Sequence, residues 1–213
     1  MTMLNVAVIT ILSYLIGSIP FGVIIGRLWK GVDIRDYGSK NMGFTNVYRV
    51  IGTFPAIIVL ILDITKGMTA VLVVTQIHLG SPGLSLINLK IIACILVIVG
   101  HVFPVFAGFR GGKGIATGLG ALWSVIPIEV SIALFLFLII VTITRYVSLG
   151  SLVAAGFILL ALLFERYYLN IKIPTLLIIM ITCLTVFIFF NHRSNIKRLL
   201  AGNENKFGQR KVE

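Results

Sequence analysis

Residues 89–106 read LKIIACILVIVGHVFPVF and run on into Gly108-Phe109-Arg110-Gly111-Gly112-Lys113-Gly114-Ile115-Ala116-Thr117. The first stretch carries a single formal charge, Lys90, and is long and apolar enough to cross a bilayer as a helix. The second is the chemistry of an anion cradle. Glycines let backbone N–H groups approach an anion closely, while Lys and Arg supply the countercharge. An oily helix that ends in such a loop predicts a membrane protein with a binding site at its edge.

The rest of the chain repeats this pattern. Of its 213 residues, 58% are apolar and 12% charged, and the mean hydropathy is +1.08. Soluble domains carry about twice that share of charge. Hydropathy predicts an all-α, polytopic integral membrane protein with seven transmembrane helices at about 4–28, 54–77, 89–106, 112–125, 128–144, 148–164 and 173–190. The fourth is short and glycine-rich, so a tilted or re-entrant helix, and with it a five-span arrangement, is an alternative. The spans leave no room for a separate soluble domain, and residues 1–213 are expected to form a single membrane-embedded domain. The apolar stretch at 4–28 lacks a basic segment before it and exceeds a signal-peptide core, so it is expected to remain as a helix.

Charge sets the expected orientation. Fourteen cations fall on one side of the seven-span arrangement: Arg27, Lys30, Arg35, Lys40, Arg49, Arg110, Lys113, Arg145, Arg193, Lys197, Arg198, Lys206, Arg210 and Lys211. Lys90, Arg166 and Lys172 fall on the other, and Lys66 lies within a span. The positive-inside rule then places the N-terminus outside and the C-terminus in the cytoplasm. Because these cations flank membrane spans, the net charge of +11 points to anionic lipid heads or substrates and away from nucleic acid. Cys94 and Cys183 sit in apolar runs and offer neither a disulfide framework nor metal-ligand spacing.

Two further polar segments share the glycine-rich loop's expected cytoplasmic face, which predicts one composite site. Gly38-Ser39-Lys40-Asn41-Met42-Gly43-Phe44-Thr45-Asn46-Val47-Tyr48-Arg49 offers hydroxyl and amide groups with Arg49 as a phosphate clamp. A loop whose amides cap the next helix would read the same way. His192-Arg193-Ser194-Asn195-Ile196-Lys197-Arg198 puts His192, Asn195 and Arg198 at helical spacing on one polar face. A basic helix gripping lipid heads is the plainer alternative.

The loop at 111–114 is not a Walker A motif. Ala107 stands six before Lys113 where glycine is required, and Gly114 follows where Ser or Thr is required, which argues against nucleotide hydrolysis. Asp63 and Lys66, at i and i+3 within a span, are expected to pair, since either charge alone is costly in a bilayer. His101 is expected to orient a loop. Pro20 is expected to kink the first span, and Gly22 and Gly26 to permit close helix packing.

These segments resemble the bacterial acyl-phosphate-dependent glycerol-3-phosphate acyltransferases, the PlsY family. The likeness rests on G-S-x-N-x-G-x-T-N-x-x-R from Gly38, G-H-x-F-P-x-F followed by G-G-K-G-x-A-T from Gly100 to Thr117, H-x-x-N-x-x-R-x-x-x-G-x-E from His192, and Asp63-x-x-Lys66-Gly67. It implies transfer of a fatty acyl group from acyl phosphate to glycerol 3-phosphate, yielding lysophosphatidic acid and phosphate, at the cytoplasmic face of a bacterial inner membrane. By this resemblance Ser39, Arg49, Lys113, His192 and Asn195 are the expected catalytic residues. Asn41, Gly43, Thr45, Asn46, Gly111, Gly112, Gly114, Thr117, Arg198 and Glu204 are the expected substrate-binding residues. Lys40 departs from the family pattern, which has a small residue there.

No H-x-x-x-x-D motif is present: the fifth positions after His78, His101 and His192 are Gly83, Phe106 and Lys197. That supports acyl phosphate over other acyl donors. No cofactor or metal is expected, and the partners are acyl phosphate, glycerol 3-phosphate and membrane lipids, with a monomer as the expected state. A transporter of phosphate esters or other anions is the alternative function, and a noncatalytic lipid-binding subunit a third.

Overall fold

The computed structural model describes residues 2–77 and 83–208. His78, and Arg210 and Lys211 of the cytoplasmic cation count, lie outside the described residues. All regular secondary structure among the described residues is helical, and the chain falls into two compact units, one ending at Val125 and the other beginning at Ile126.

The first unit opens with α1 (Thr2–Gly17) and α2 (Phe21–Lys30), separated by a break at Ser18–Pro20. Proline has no N–H to continue the helical ladder, so the chain turns where the sequence predicts a kink. Next come a 3₁₀ turn at Ile34–Asp36, a loop, and α3 (Phe44–Val50). Then α4 (Thr53–Leu72), α5 (Leu86–Val102), a second 3₁₀ turn at Val105–Ala107, and α6 (Ile115–Trp123) complete the unit.

Two helix pairs are drawn together by reciprocal glycines. A Cβ on Gly17 would overlap the Val97 carbonyl, and one on Gly100 would overlap the Tyr14 carbonyl, which seats α1 on α5. Gly67 meets the Thr117 carbonyl and Gly120 the Ile64 carbonyl in the same way, seating α4 on α6. Gly22 faces the Met42 carbonyl, so its close approach is to the polar loop that follows α2 and not to another helix as expected.

The second unit consists of α7 (Pro127–Thr144), α8 (Val147–Tyr167), α9 (Thr175–Asn191) and α10 (Arg193–Leu200). α8 packs against both α7 and α9. α9 and α10 are bent by 59° at His192.

Among the described residues, five stretches are long and apolar enough to cross a membrane: Met3–Lys30, Thr53–Gln76, Leu86–Ala107, Pro127–Thr144 and Val147–Tyr167. The bent pair α9–α10 makes a sixth. The stretch expected at 112–125 contains α6, whose nine residues extend about 13 Å at 1.5 Å per residue, less than half a bilayer core. It is held by protein: Thr117, Gly118, Gly120, Ala121 and Leu122 are buried, against α4 and α5.

Gly120→Ala would push a methyl group into a backbone carbonyl that has no side-chain freedom with which to yield. We expect a loss of about 1–3 kcal/mol from overpacking, seen as a lower thermal unfolding midpoint in detergent. Gly156→Ala, inside α8 at a position with open space around it, should not lower the midpoint, since alanine favours the helix over glycine.

Candidate active site

The loop at 38–43 is built around one amide. Asn46, on α3 and 1% exposed, accepts the Ser39 N–H through Oδ1 at 2.8 Å. Its Nδ2 lies 2.9, 3.1 and 2.8 Å from the carbonyls of Ile34, Tyr37 and Asn41. One side chain thereby satisfies four backbone groups that a loop would otherwise leave unpaired. Asn41 Oδ1 accepts the Gly43 N–H at 2.9 Å. Gly38 has φ +57, and a Cβ there would strike Asn46 Oδ1. Ser39 is exposed on this frame, with Arg49 and Thr45 half-buried on α3.

The second loop lies over a buried polar cluster. Asp63 Oδ1 is 2.8 Å from Lys66 Nζ and 3.5 Å from His101 Nδ1, and all three side chains are 2–3% exposed. His101 Nδ1 is 3.0 Å from Thr117 Oγ1, and Lys66 Nζ donates to the Ile19 carbonyl in the α1–α2 break at 3.0 Å. The expected Asp63–Lys66 pair therefore forms and extends to α5 and α6. Gly112 donates its N–H to the His101 carbonyl at 3.1 Å, and a Cβ on Gly112 would overlap His101 Nε2. Gly111 has no room for a side chain against the His101 and Val102 carbonyls, and Gly114 enters α6 with φ +82. The glycines let this loop pack against His101, Gly111 on its backbone carbonyl and Gly112 on its ring, with Lys113 half-buried among them.

In the second unit the central group is Glu204. Its Oε1 accepts from Asn195 Nδ2 at 2.6 Å and Ser148 Oγ at 2.9 Å, and its Oε2 from Arg198 Nε at 2.6 Å. Burial pushes the Glu204 carboxyl up, but the donations from Asn195, Arg198 and Ser148 outweigh it and hold the group below the usual range. His192, buried at the bend, lies with Nδ1 2.8 Å from the Ile188 carbonyl. A carbonyl can only accept, so the ring proton belongs on Nδ1, and Nε2 is the basic nitrogen of the neutral ring.

Of the expected site residues, Asn41, Asn46, Thr117, His192, Asn195, Arg198 and Glu204 make the side-chain hydrogen bonds given above, Ser39 is exposed, and Thr45, Arg49 and Lys113 are half-buried. Sequence reading passed over Ser148 as a partner of Glu204 and Asp33 as a partner of Arg35. A lone carboxylate within a basic segment was the available signal for the first, and the Asp-x-Arg spacing for the second.

The chain matches the family model for glycerol-3-phosphate acyltransferase over residues 7–202. It belongs to the glycerol-3-phosphate acyltransferase family. The glycerol-3-phosphate acyltransferase of Chlorobaculum tepidum is 39% identical, with 98% of this chain and 100% of that protein covered. The one from Fusobacterium nucleatum is 41% identical over 92% and 95%. Among solved structures, the glycerol 3-phosphate form of PlsY, an integral membrane glycerol 3-phosphate acyltransferase, is similar with a TM-score of 0.83 and 37% identity, covering 95% of this chain and 96% of that one. The lysophosphatidic acid form gives 0.80 and 36%, covering 95% of each. This chain is accordingly a multi-pass membrane acyltransferase, and these matches favour acyl transfer over anion transport.

Two measurements probe the geometry. Because the Glu204 carboxyl is held below its ordinary value of 4.5, its contribution to stability is present above that value and is lost as pH falls through the lower folded value. Thermal midpoints measured from pH 7 downward should fall below pH 4.5 in the wild type, and by less in Glu204→Gln. Gly112→Ala should lower kcat/KM at least about tenfold, by lifting the loop off His101, as read from initial rates on folded protein.

Proposed function

We propose that this acyltransferase uses acyl phosphate as donor and glycerol 3-phosphate as acceptor, releasing 1-acyl-glycerol 3-phosphate and inorganic phosphate. The observation that carries the reading is the glycine-rich Lys113 loop packed on the buried His101, with no room for a side chain at Gly111 or Gly112 and one cation among its glycines. Such a surface suits a phosphoryl or acyl oxygen that gains negative charge.

In the proposed reaction the primary hydroxyl of glycerol 3-phosphate attacks the acyl carbonyl. A new C–O ester bond forms, the bond between acyl carbon and phosphate oxygen breaks, and phosphate leaves with the electron pair. Lys113 and the loop N–H groups stabilise the developing charge. Ser39, Arg49, His192 and Asn195 hold glycerol 3-phosphate, and a phosphate oxygen of that substrate takes the hydroxyl proton. The donor is held by Gly111, Gly112 and Gly114 with Thr45 nearby. Asn41, Gly43, Asn46, Thr117, Arg198 and Glu204 act by shaping the segments that carry these contacts. No acyl-enzyme forms.

We further propose that residues 1–213 act as one catalytic domain and as a monomer. The family match across both compact units supports the first of these. We read seven apolar segments from the hydropathy, the fourth of them short, an outward N-terminus and a cytoplasmic active site from the cation asymmetry, and a bacterial inner membrane from the family resemblance.

Purified protein given palmitoyl phosphate and glycerol 3-phosphate, with chelator present, should release phosphate and lysophosphatidic acid in equal amounts. Lys113→Ala should abolish both. His192→Gln should keep most of kcat at saturating substrate while raising KM for glycerol 3-phosphate. A large loss of kcat instead would speak against substrate assistance and keep His192 as a candidate base without proving it.

A further inference from the structure

Arg35 belongs to none of the three polar segments, yet its side chain joins two of the loops described above. Its Nε donates to Asp33 Oδ1 at 2.9 Å and its Nη2 to Asp33 Oδ2 at 2.7 Å. Asp33 Oδ1 also accepts the Arg35 backbone N–H at 3.1 Å. This two-pronged grip within three residues fixes the guanidinium plane. Nη1 then reaches across 72 positions of sequence to the Ala107 carbonyl at 2.6 Å, and to the Arg110 carbonyl at 3.3 Å.

Both acceptors lie in the turn directly before the 111–114 loop. That turn carries Gly108 and Phe109 with φ +62 and +59, a left-handed pair in which Phe109 is strained and needs outside support. At its other end, Arg35 stands four residues before Ser39, whose N–H is fixed by Asn46. The guanidinium is therefore bonded at once to the base of the Ser39 loop and to the base of the Lys113 loop. The Asp33 carboxyl is held down to about 2, chiefly by its side-chain hydrogen bonds with Arg35, so the pair stays ionised throughout the physiological range.

We infer that Arg35, held by Asp33, is a positioning residue for acyl transfer that sets the separation of the Ser39 and Lys113 loops. The inference rests on the acyl-transfer reading above. If one loop holds the acceptor and the other the donor, displacing them relative to each other leaves each binding surface intact and misaligns hydroxyl and carbonyl. The effect falls on kcat, where misplacement by about 1 Å can cost about a hundredfold. Lysine cannot substitute, because a point charge cannot both grip a carboxylate with two prongs and reach two carbonyls.

The test compares Arg35→Lys and Arg35→Gln with Arg27→Gln. Arg27 approaches Asp33 Oδ2 at 3.4 Å and is 66% exposed, and it reaches neither the Ala107 nor the Arg110 carbonyl that Arg35 holds. We expect kcat in Arg35→Lys to fall about 10- to 100-fold, with KM for each substrate within about threefold and the folded fraction unchanged. Arg27→Gln should behave as wild type. Spin labels at Lys40→Cys and Phe109→Cys, in a Cys183→Ser background, should show a broader distance distribution once Arg35→Gln is added.

Wild-type kcat in Arg35→Lys, a loss carried wholly by KM, or a defect confined to the yield of folded protein would each overturn the inference. If the wild-type enzyme itself forms no lysophosphatidic acid, the acyl-transfer reading fails on its own. The label distances then decide the clamp: an unchanged distribution rejects it, and a broadened one keeps it as a link between the loops.

Discussion

A charge carried into a bilayer must be neutralised by neighbours, because no solvent is there to do it. Asp63 and Lys66 meet that demand within one helix, and the way they meet it organises the first unit. Lys66 spends a donor on the Ile19 carbonyl, which lies where Pro20 interrupts the first span. Asp63 faces His101 on α5, and His101 meets Thr117 on α6. Three helices and the break between α1 and α2 are thus referred to one polar point. Breaking such a network by removing one member would strand the others without water, which is why buried pairs are severe to disrupt even where their net contribution is small.

That point lies beneath the loop proposed to hold the donor. The glycines at 111, 112 and 114 are required for different reasons: carbonyls crowd the first, an imidazole fills the space beside the second, and the third takes a left-handed turn into α6. A loop pressed this closely to a rigid floor, with its Gly112 N–H tied to the His101 carbonyl, has a fixed backbone. Fixed donors need little reorganisation when charge develops, which is the property an acyl-transfer site requires.

Much of this was legible in sequence because it follows from composition and spacing. Apolar runs of 18 or more residues announce spans, Pro20 announces a break, and i,i+3 placement announces the Asp63–Lys66 pair. What escaped depended on long-range geometry. Gly22 and Gly26 suggested helix-on-helix packing, yet Gly22 meets the Met42 carbonyl of a loop. Asn46 and Thr117 are polar residues inside motifs and read as ligand contacts, whereas their side chains are engaged with the Ser39 loop and with His101. The short apolar run at 112–125 has a hydropathy no different from a small span, and its partners, not its own residues, decide how deep it sits. No local pattern could show that Ser148 and Glu204, 56 positions apart, share a hydrogen bond.

Asn46 has a chemical consequence of its own. The loop depends on its amide nitrogen, which lies against three carbonyls. Hydrolysis of that amide to a carboxylate would preserve the shape of the side chain almost atom for atom while turning three attractions into repulsions. Side-chain volume would not register the change. Burial and the helical backbone of α3 shield the amide from this ageing reaction, so the damage enters chiefly when the segment opens. A molecule that spends longer partly unfolded in the membrane would therefore accumulate a lesion that prevents the loop from closing again.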